Sequence, residues 1–567
     1  MNIESIISTF KKRSTIISLV IIAFFAVFAY LPTLNAFYQQ DEWLAFDRLF
    51  ILQSTSFIGK MVNIFSPTGG HYTPLNLVLL FGEFSLFGIS YKGYILASIL
   101  WHVIVSLLFF KLALLITKNK LNAFLIAVTF AVFASTFQAT GWVMADLGTH
   151  FSTIFSLISL IFLFTFFETK RDKHFYFSIV ILFFSLFFKE ISIGIFILIP
   201  LAIFLFLPKA KSKNNIKYYL IPIITLGTFL LLRFTLGKIN AASLPTPAIT
   251  QSQSTSFMYN AATIPVKSFV QSIFPVQLLI KVSRLVSAHI ISIFRPDIYI
   301  GTWQFDVFAE FDVLEILSFI FFSILVLILI LKLKNKWNNY ESKVIIFSFL
   351  FAIINAAVFV LSPERSGRIS VIDSRNLYLV SVGSIIFIVT FIESFLKNKQ
   401  RLFVFIISVV ILFNFISLRQ QLNDFVEIGK FRMEILNSIK DTYPNLPEKV
   451  IFYTESDRSY YALPSDEKIL PFQSGLGQTL LVWYKDQENW PSEFYQNRFL
   501  WEIKDQGYKE ASGRGYGYFR NWELLKRSIH EYNLSADSVF AFKWDSKTNS
   551  FLDITKETRT KLKNEKN

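Results

Sequence analysis

The chain has 567 residues, a formal net charge of +15, 53% hydrophobic residues, 66 phenylalanines and no cysteine. Without thiols there are no disulfides, thiolate metal sites or cysteine nucleophiles. Apolar runs near the roughly 20 residues needed to cross a bilayer recur through the first three quarters of the sequence, and the basic residues cluster between them, so the positive charge points to a membrane topology signal and away from nucleic acid.

In chain order, Lys11-Lys12-Arg13 precede an apolar stretch from Ser14 to Leu31. The run is long enough to span, and Tyr30-Leu31-Pro32 is a poor cleavage site, so a retained first helix is expected rather than a secretory signal. Further spans are expected near residues 91–116, 121–138, 146–167, 175–188, 191–207, 218–235, 313–331, 344–361, 377–395 and 402–418, about eleven in all. Six basic clusters fall on alternate sides of successive spans. They are Lys11-Lys12-Arg13, Lys118/Lys120, Lys170/Arg171/Lys173, Lys209/Lys211/Lys213/Lys217, Lys332/Lys334/Lys336/Lys343 and Lys397/Lys399/Arg401. All six share the cytoplasmic face if the N-terminus is cytoplasmic, which puts the C-terminal region outside.

Two external segments are long. The first, about Pro32 to Ser90, contains the short apolar stretch Tyr72 to Phe87, interrupted by Pro74, Gly82 and Glu83; this reads as an interfacial or re-entrant helix. The second, Leu236 to Asp312, opens with a flexible polar stretch, Ser243 to Ser256. It continues with Lys267, Lys281, Arg284 and Arg295 among apolar residues, the composition of a helix lying on a membrane surface. After Arg419 the apolar runs stop. Strands are expected at Lys449–Thr454 and Ser538–Trp544, and helices at Asn521–Tyr532 and Lys556–Asn564. The sequence thus divides into a mainly α polytopic helical bundle, residues 1–418, and a small α/β or α+β soluble domain, residues 419–567.

Several ionisable residues stand near the outer ends of the apolar runs. Gln39-Gln40-Asp41-Glu42-Trp43 places two adjacent carboxylates just after the first span. One could accept a proton from an acceptor hydroxyl while the other orients it; the alternative is a solvated loop with two acids. Asp146 enters the fourth span with His150 one turn later on the same face, and Lys189-Glu190 lies between two apolar runs. Charges at membrane depth are costly and face a cavity or a partner, and a local ion pair would satisfy Lys189 and Glu190 equally well. Asp146 with His150 is an incomplete metal set. His102, inside the second span, reads as a helix-packing hydrogen-bond donor. The stretch Arg365, Arg368, Asp373, Arg375, Asn376, Tyr378 breaks the positive-inside pattern. Arginine pairs well with phosphate, though contacts to acids or headgroups would also account for it. All these groups share one side of the membrane and would converge around an outward-facing cavity.

The order of these features resembles the GT-C class of integral-membrane glycosyltransferases, most of all the branch of protein O-mannosyltransferases and transmembrane O-mannosyltransferases. Asp41-Glu42 follows the first span as in that family. His71-Tyr72-Thr73-Pro74-Leu75 resembles its Tyr-Arg-Pro-Leu stretch, with the Arg unmatched. Tyr94 to His102 resembles its second span, and Lys189-Glu190 resembles its Lys-Glu pair. The likeness covers residues 1–420, best in the first 200. The tetratricopeptide repeats of the animal enzymes have no counterpart here, so a protein acceptor is not implied.

The resemblance implies an inverting hexosyltransferase of the cytoplasmic membrane, moving a mannose-like sugar from a polyprenyl-phosphate donor to an extracytoplasmic protein, glycan or lipid acceptor. Asp41 would be the base, and Glu42 would position the acceptor or Asp41. Lys189, Arg375 and Arg365 would balance the lipid phosphate. Asp146 and His71 would bind sugar or acceptor, with Tyr72 and Glu190 beside them. No cofactor is required, and a divalent metal has no support in the sequence. The rival expectation is a transporter or flippase for a lipid-linked or anionic substrate, which would also keep charges in a membrane cavity, although no internal symmetry is visible.

Overall fold

The computed structural model describes residues 3–39, 41–66, 71–207, 216–241, 251–294, 299–300, 302–334, 339–361, 369–457, 469–472, 475–485, 487–548 and 550–565. The fold is mainly helical, with one small sheet near the C-terminus. The helices are α1 (Ile3–Tyr30), α2 (Glu42–Ser54), α3 (Phe57–Phe65), α4 (Pro74–Phe87), α5 (Tyr91–Thr117), α6 (Lys120–Ala131), α7 (Phe137–Gly141), α8 (Val143–Thr169), α9 (Asp172–Ser185), α10 (Ile193–Phe206), α11 (Lys217–Ala241), α12 (Gln251–Gln271) and α13 (Val276–Phe294). There follow α14 (Trp303–Leu333), α15 (Tyr340–Ala357), α16 (Ser374–Phe395) and the continuous 43-residue α17 (Gln400–Thr442).

Among the described residues, nine helices are long and apolar enough to cross a membrane, or ten if the bent pair α6 and α7 forms one span. The chain is a multi-pass membrane protein by this measure. The expected run 121–138 is interrupted, with a 56° bend between Lys120–Ala131 and Ala134–Gly141. The expected runs 175–188 and 191–207 form α9 and α10, of 14 residues each. At 1.5 Å per residue, each is shorter than the hydrocarbon core. Conversely, α13 passes the test for a span.

The chain folds as two compact units. The first comprises Met1–Leu34, Ile64–Leu80 and Lys92–Asn423; the second comprises Asn35–Asn63, Phe81–Tyr91 and Asp424–Asn567. The core of the first unit is built largely from phenylalanine and branched aliphatic side chains of α5, α6, α8, α10, α15 and α16. Edge-to-face rings recur through it, such as Phe164 with Phe206 and Phe347. This geometry favours close aromatic packing. α15 and α16 approach so closely that a Cβ on Gly383 would lie 2.7 Å from the Ala352 nitrogen, the role small residues play between membrane helices.

The polar loop Leu236 to Asp312 departs from the expected surface helix. α12 packs against α14, α15 and α16, and its Lys267 is fully buried. The ammonium pairs with Glu315 at 3.3 Å and donates to the Ile369 carbonyl, while Tyr259 donates to the same carboxylate. A buried charge persists when it is paired and hydrogen-bonded. Residues 243–250 of the expected flexible stretch, Arg295, Lys336 and the Lys209/Lys211/Lys213 cluster lie outside the described residues.

In the second unit a five-stranded sheet has the order β2-β3-β1-β4-β5, with β1 (Lys449–Ser456), β2 (Gly507–Ala511), β3 (Arg514–Phe519), β4 (Val539–Asp545) and β5 (Ser550–Asp553). β1 is parallel to β3 and β4, pairing Ile451 with Gly517 on one side and Val539 on the other; the edge strands run antiparallel. Val450, Ile451, Phe452 and Tyr453 of β1 are all buried, as expected of a central parallel strand covered on both faces. α18 (Leu476–Trp483), α19 (Trp522–Glu531) and α20 (Thr555–Glu565) complete the domain. The expected strands and helices of this region match β1, β4, α19 and α20. The short α2 belongs to this unit as well. α17 passes so close to the chain before α2 that a Cβ on Gly429 would lie 2.5 Å from the Phe37 nitrogen.

Candidate functional site

In the first unit, the chain breaks between α9 and α10 and turns through a 3-10 segment, Glu190–Ser192. Lys189 is extended there, and its side chain donates to Thr149 Oγ1 at 2.8 Å. Thr149 lies on α8, the helix of Asp146 and His150. Ser152 of the same helix donates to the Lys189 carbonyl at 3.1 Å. The break is therefore stitched to α8 from both directions.

Glu190 is the hub of a larger set. One carboxylate oxygen lies 2.6 Å from Arg233 Nε of α11 and accepts from the Tyr72 backbone N–H at 3.4 Å; the other is 3.1 Å from His71 Nδ1. The segment that carries His71 and Tyr72 is fixed to the same break, because the Leu75 and Asn76 N–H groups donate to the Phe187 carbonyl. His71 is half exposed and Glu190 mostly buried. The sequence brought His71, Tyr72, Lys189 and Glu190 into consideration, and the fold brings them together. Arg233 was missed. Its signal was present: it is the sole charge in the apolar run Tyr218–Leu236.

Asp146 and His150 are fully buried and hydrogen-bonded to each other through Oδ1 and Nδ1, with Thr140 Oγ1 3.3 Å from the other ring nitrogen. Asp146 is engaged with its own helix rather than open to solvent. His102 is buried nearby, its ring 6.1 Å from that of His150. Its Nε2 meets the Ala131 carbonyl at 3.1 Å and so carries the proton, which leaves Nδ1 to accept from the Tyr378 hydroxyl at 2.7 Å. It is a packing donor, as the sequence suggested.

Arg375 lies in the first turn of α16, its guanidinium stacked 4.4 Å from the ring of Trp142, the residue before α8. Asp373 is 3.6 Å away. The approach to α16 is held by α12: Gln271 donates to the Ser370 carbonyl and accepts from the Ile372 N–H, both at 2.8 Å. Lys267 holds Ile369. Arg365 and Arg368 lie outside the described residues. Arg375 thus sits beside the residue that precedes α8, the helix that carries Asp146 and Thr149.

The acidic pair belongs to the second unit. Asp41 is half-buried at the N-cap of α2, and Glu42, the first residue of the helix, is fully buried. Aromatic rings crowd this end: Trp43 lies 5.2 Å from Tyr38 and 6.1 Å from Trp483, and Tyr38 lies 5.2 Å from Tyr91.

Sequence reasoning also missed Asp47, further along α2. It is 1% exposed, and Trp501 Nε1 donates to its Oδ2 at 2.9 Å. Burial pushes its carboxyl up to about 7, against the opposing pull of its hydrogen bonds to Trp501 and Gln478. Nothing in the run Ala45-Phe46-Asp47-Arg48-Leu49 marks it, because its partners are far along the chain. No group of three or more metal-ligating side chains occurs among the described residues. No family model matches the sequence, and no curated protein matches it.

Proposed function

We propose that the protein is a membrane glycosyltransferase that moves a hexose from a polyprenyl-phosphate donor to an acceptor hydroxyl on the extracytoplasmic side, with inversion at the anomeric carbon. The observation that carries this reading is the gathering of Lys189, Glu190, His71 and Arg233 where α9 breaks into α10, with Arg375 beside Trp142 at the end of α8. Ionisable groups inside an apolar bundle are costly and mark functional sites. Three cations suit a ligand whose head is a phosphate and whose body is a lipid.

In the proposed reaction the acceptor oxygen attacks the anomeric carbon. The bond from that carbon to the phosphate oxygen breaks, and polyprenyl phosphate leaves. Phosphate is a good leaving group, so the demand falls on the nucleophile, whose proton passes to Asp41 as general base. Glu42 positions Asp41 or the acceptor. Lys189, Arg375 and Arg365 balance the phosphate, and Arg233 joins them as a cation held by Glu190. His71, half exposed, is suited to a sugar or acceptor hydroxyl, with Tyr72 beside it. The topology that goes with this chemistry has about eleven crossings, a cytoplasmic N-terminus and an extracytoplasmic C-terminal domain.

The test is incubation of the purified full-length protein in lipid nanodiscs with labelled polyprenyl-phosphate sugars and a panel of hydroxyl acceptors. Transfer of label supports the proposal. Movement of the donor across a reconstituted bilayer, with no transfer to any acceptor, would overturn it in favour of a flippase.

A further inference from the structure

Away from the acidic pair, the end of the chain closes a second polar site. β5 ends at Asp553 and α20 begins at Thr555. Along α20, Lys556, Arg559, Thr560 and Lys563 follow one another at spacings of three and four, which places them on one face. That face lines a cavity of about 350 Å³ together with Asp553 and with Tyr443, the residue after α17. The volume falls within the range of about 300–1,000 Å³ usual for small-molecule sites.

The charges in this lining are unevenly matched. Arg559 is fixed by neutral groups. Its Nε donates to the Val539 carbonyl at 2.8 Å and its Nη2 to the Asp537 carbonyl at 2.6 Å, with the guanidinium 5.0 Å from the Phe540 ring. These carbonyls hold the guanidinium in place without neutralising it, and Nη1 makes no hydrogen bond among the described residues. The Lys556 ammonium is exposed and has no partner among the described residues. Lys563 pairs with Asp537 at 3.0 Å, but both side chains are more than half exposed, and such a pair is worth under about 1 kcal/mol. The carboxylate in the lining is already engaged. Asp553 accepts from the Thr555 N–H at 2.8 Å on one oxygen and from the Tyr443 hydroxyl at 2.7 Å on the other.

The hydroxyls in the lining present the opposite polarity. Tyr443 gives its proton to the bond with Asp553, and Thr560 gives its own to the Lys556 carbonyl at 2.9 Å. Each oxygen keeps lone pairs. The cavity therefore offers N–H donors to an oxyanion and oxygen acceptors to hydroxyl groups.

We infer that this cavity binds a small hydroxyl-bearing oxyanion, a phosphorylated sugar or a sugar acid. Lys556, Arg559 and Lys563 take the anionic head, and Tyr443 and Thr560 accept from the sugar hydroxyls. Every residue of the site lies in the C-terminal part of the second unit, and the inference does not depend on the transferase reading. It gives the C-terminal domain a role of its own in ligand recognition.

Isothermal titration of the full-length protein in nanodiscs of zwitterionic lipid tests this, with glucose 1-phosphate, glucuronate and glucose as probes. At least one of the two anions should bind, and glucose should not. Which anion binds decides between a phosphate and a carboxylate head. Lys556→Gln and Lys563→Gln each remove one charge-assisted contact at an exposed side chain, so the fold should persist and each should weaken binding about tenfold or more. Lys556→Arg keeps the charge and should retain most of the affinity. Binding should also weaken as salt is raised. Failure of both anions to bind overturns the site, as does glucose bound as tightly as the anions. Undiminished binding in the Lys556→Gln/Lys563→Gln double variant would place the ligand elsewhere and overturn it equally.

Discussion

Glu190 offers the most direct test of the polar hub in the first unit. Replacing it with glutamine keeps the shape and leaves an acceptor for the Tyr72 N–H, but removes the charge that faces Arg233 at 2.6 Å and His71 at 3.1 Å. At an effective dielectric near 20, two unit charges in contact attract by several kcal/mol before desolvation is counted. The Glu190 side chain is 13% exposed and that of Arg233 24%, so the pair is neither a surface bridge worth under about 1 kcal/mol nor a fully buried one whose breakage costs about 3–5 kcal/mol. An intermediate loss of about 2 kcal/mol is expected for Glu190→Gln. Arg233→Met removes the other partner, and the double variant closes the cycle. Unfolding of the four proteins in mixed micelles, followed by tryptophan fluorescence, should give a coupling of about 1–2 kcal/mol. A coupling below about 0.3 kcal/mol would mean that the two residues are neighbours without interdependence, and Glu190 would lose its place as the hub.

Other expectations follow from the same geometry. Asp41→Asn keeps size and fold and should slow transfer about 10²–10⁴-fold if Asp41 is the base, with Glu42→Gln slower by less; wild-type transfer rates in both variants would remove the acidic pair from the chemistry. Arg375→Ala should weaken donor binding in a titration with polyprenyl-phosphate sugar, and Arg375→Lys should recover only part, since the bidentate fork is lost; unchanged affinity in both would end its phosphate role. Asp47, raised from 3.8 to about 7 in the folded protein, binds its proton more tightly folded than unfolded. Its contribution is full below about pH 4 and is lost as pH rises through about 7. The shift corresponds to about 4 kcal/mol, so Asp47→Asn should flatten this part of the pH–stability curve, and a curve like that of the wild type would count against the raised carboxyl. A reporter fused after Asn567 should be active only if it matures outside the cytoplasm; activity confined to the cytoplasm would reverse the orientation.

Features under short-range control were legible in the sequence. Apolar runs marked eight of the nine helices long enough to span among the described residues, because bilayer thickness sets one length for every span; the run 121–138 is bent, 175–188 and 191–207 form short helices, and α13 was not marked. The buried run Val450-Ile451-Phe452-Tyr453 marked the central strand because strand covering sets its composition. Lys189 and Glu190 stood out because a charge between apolar runs is conspicuous wherever its partner lies. Which groups meet was left to the packing of the folded chain. His71 and Glu190 are 119 residues apart, and Asp47 and Trp501 are 454 apart; no local pattern encodes such pairs. The same limit explains α12. Its Lys267 among apolar residues matched a helix on a membrane surface, but the polar face meets Glu315 and the Ile369 carbonyl instead of headgroups. An amphipathic pattern states that a polar face needs a polar partner, and packing alone chooses between water, lipid and another side chain.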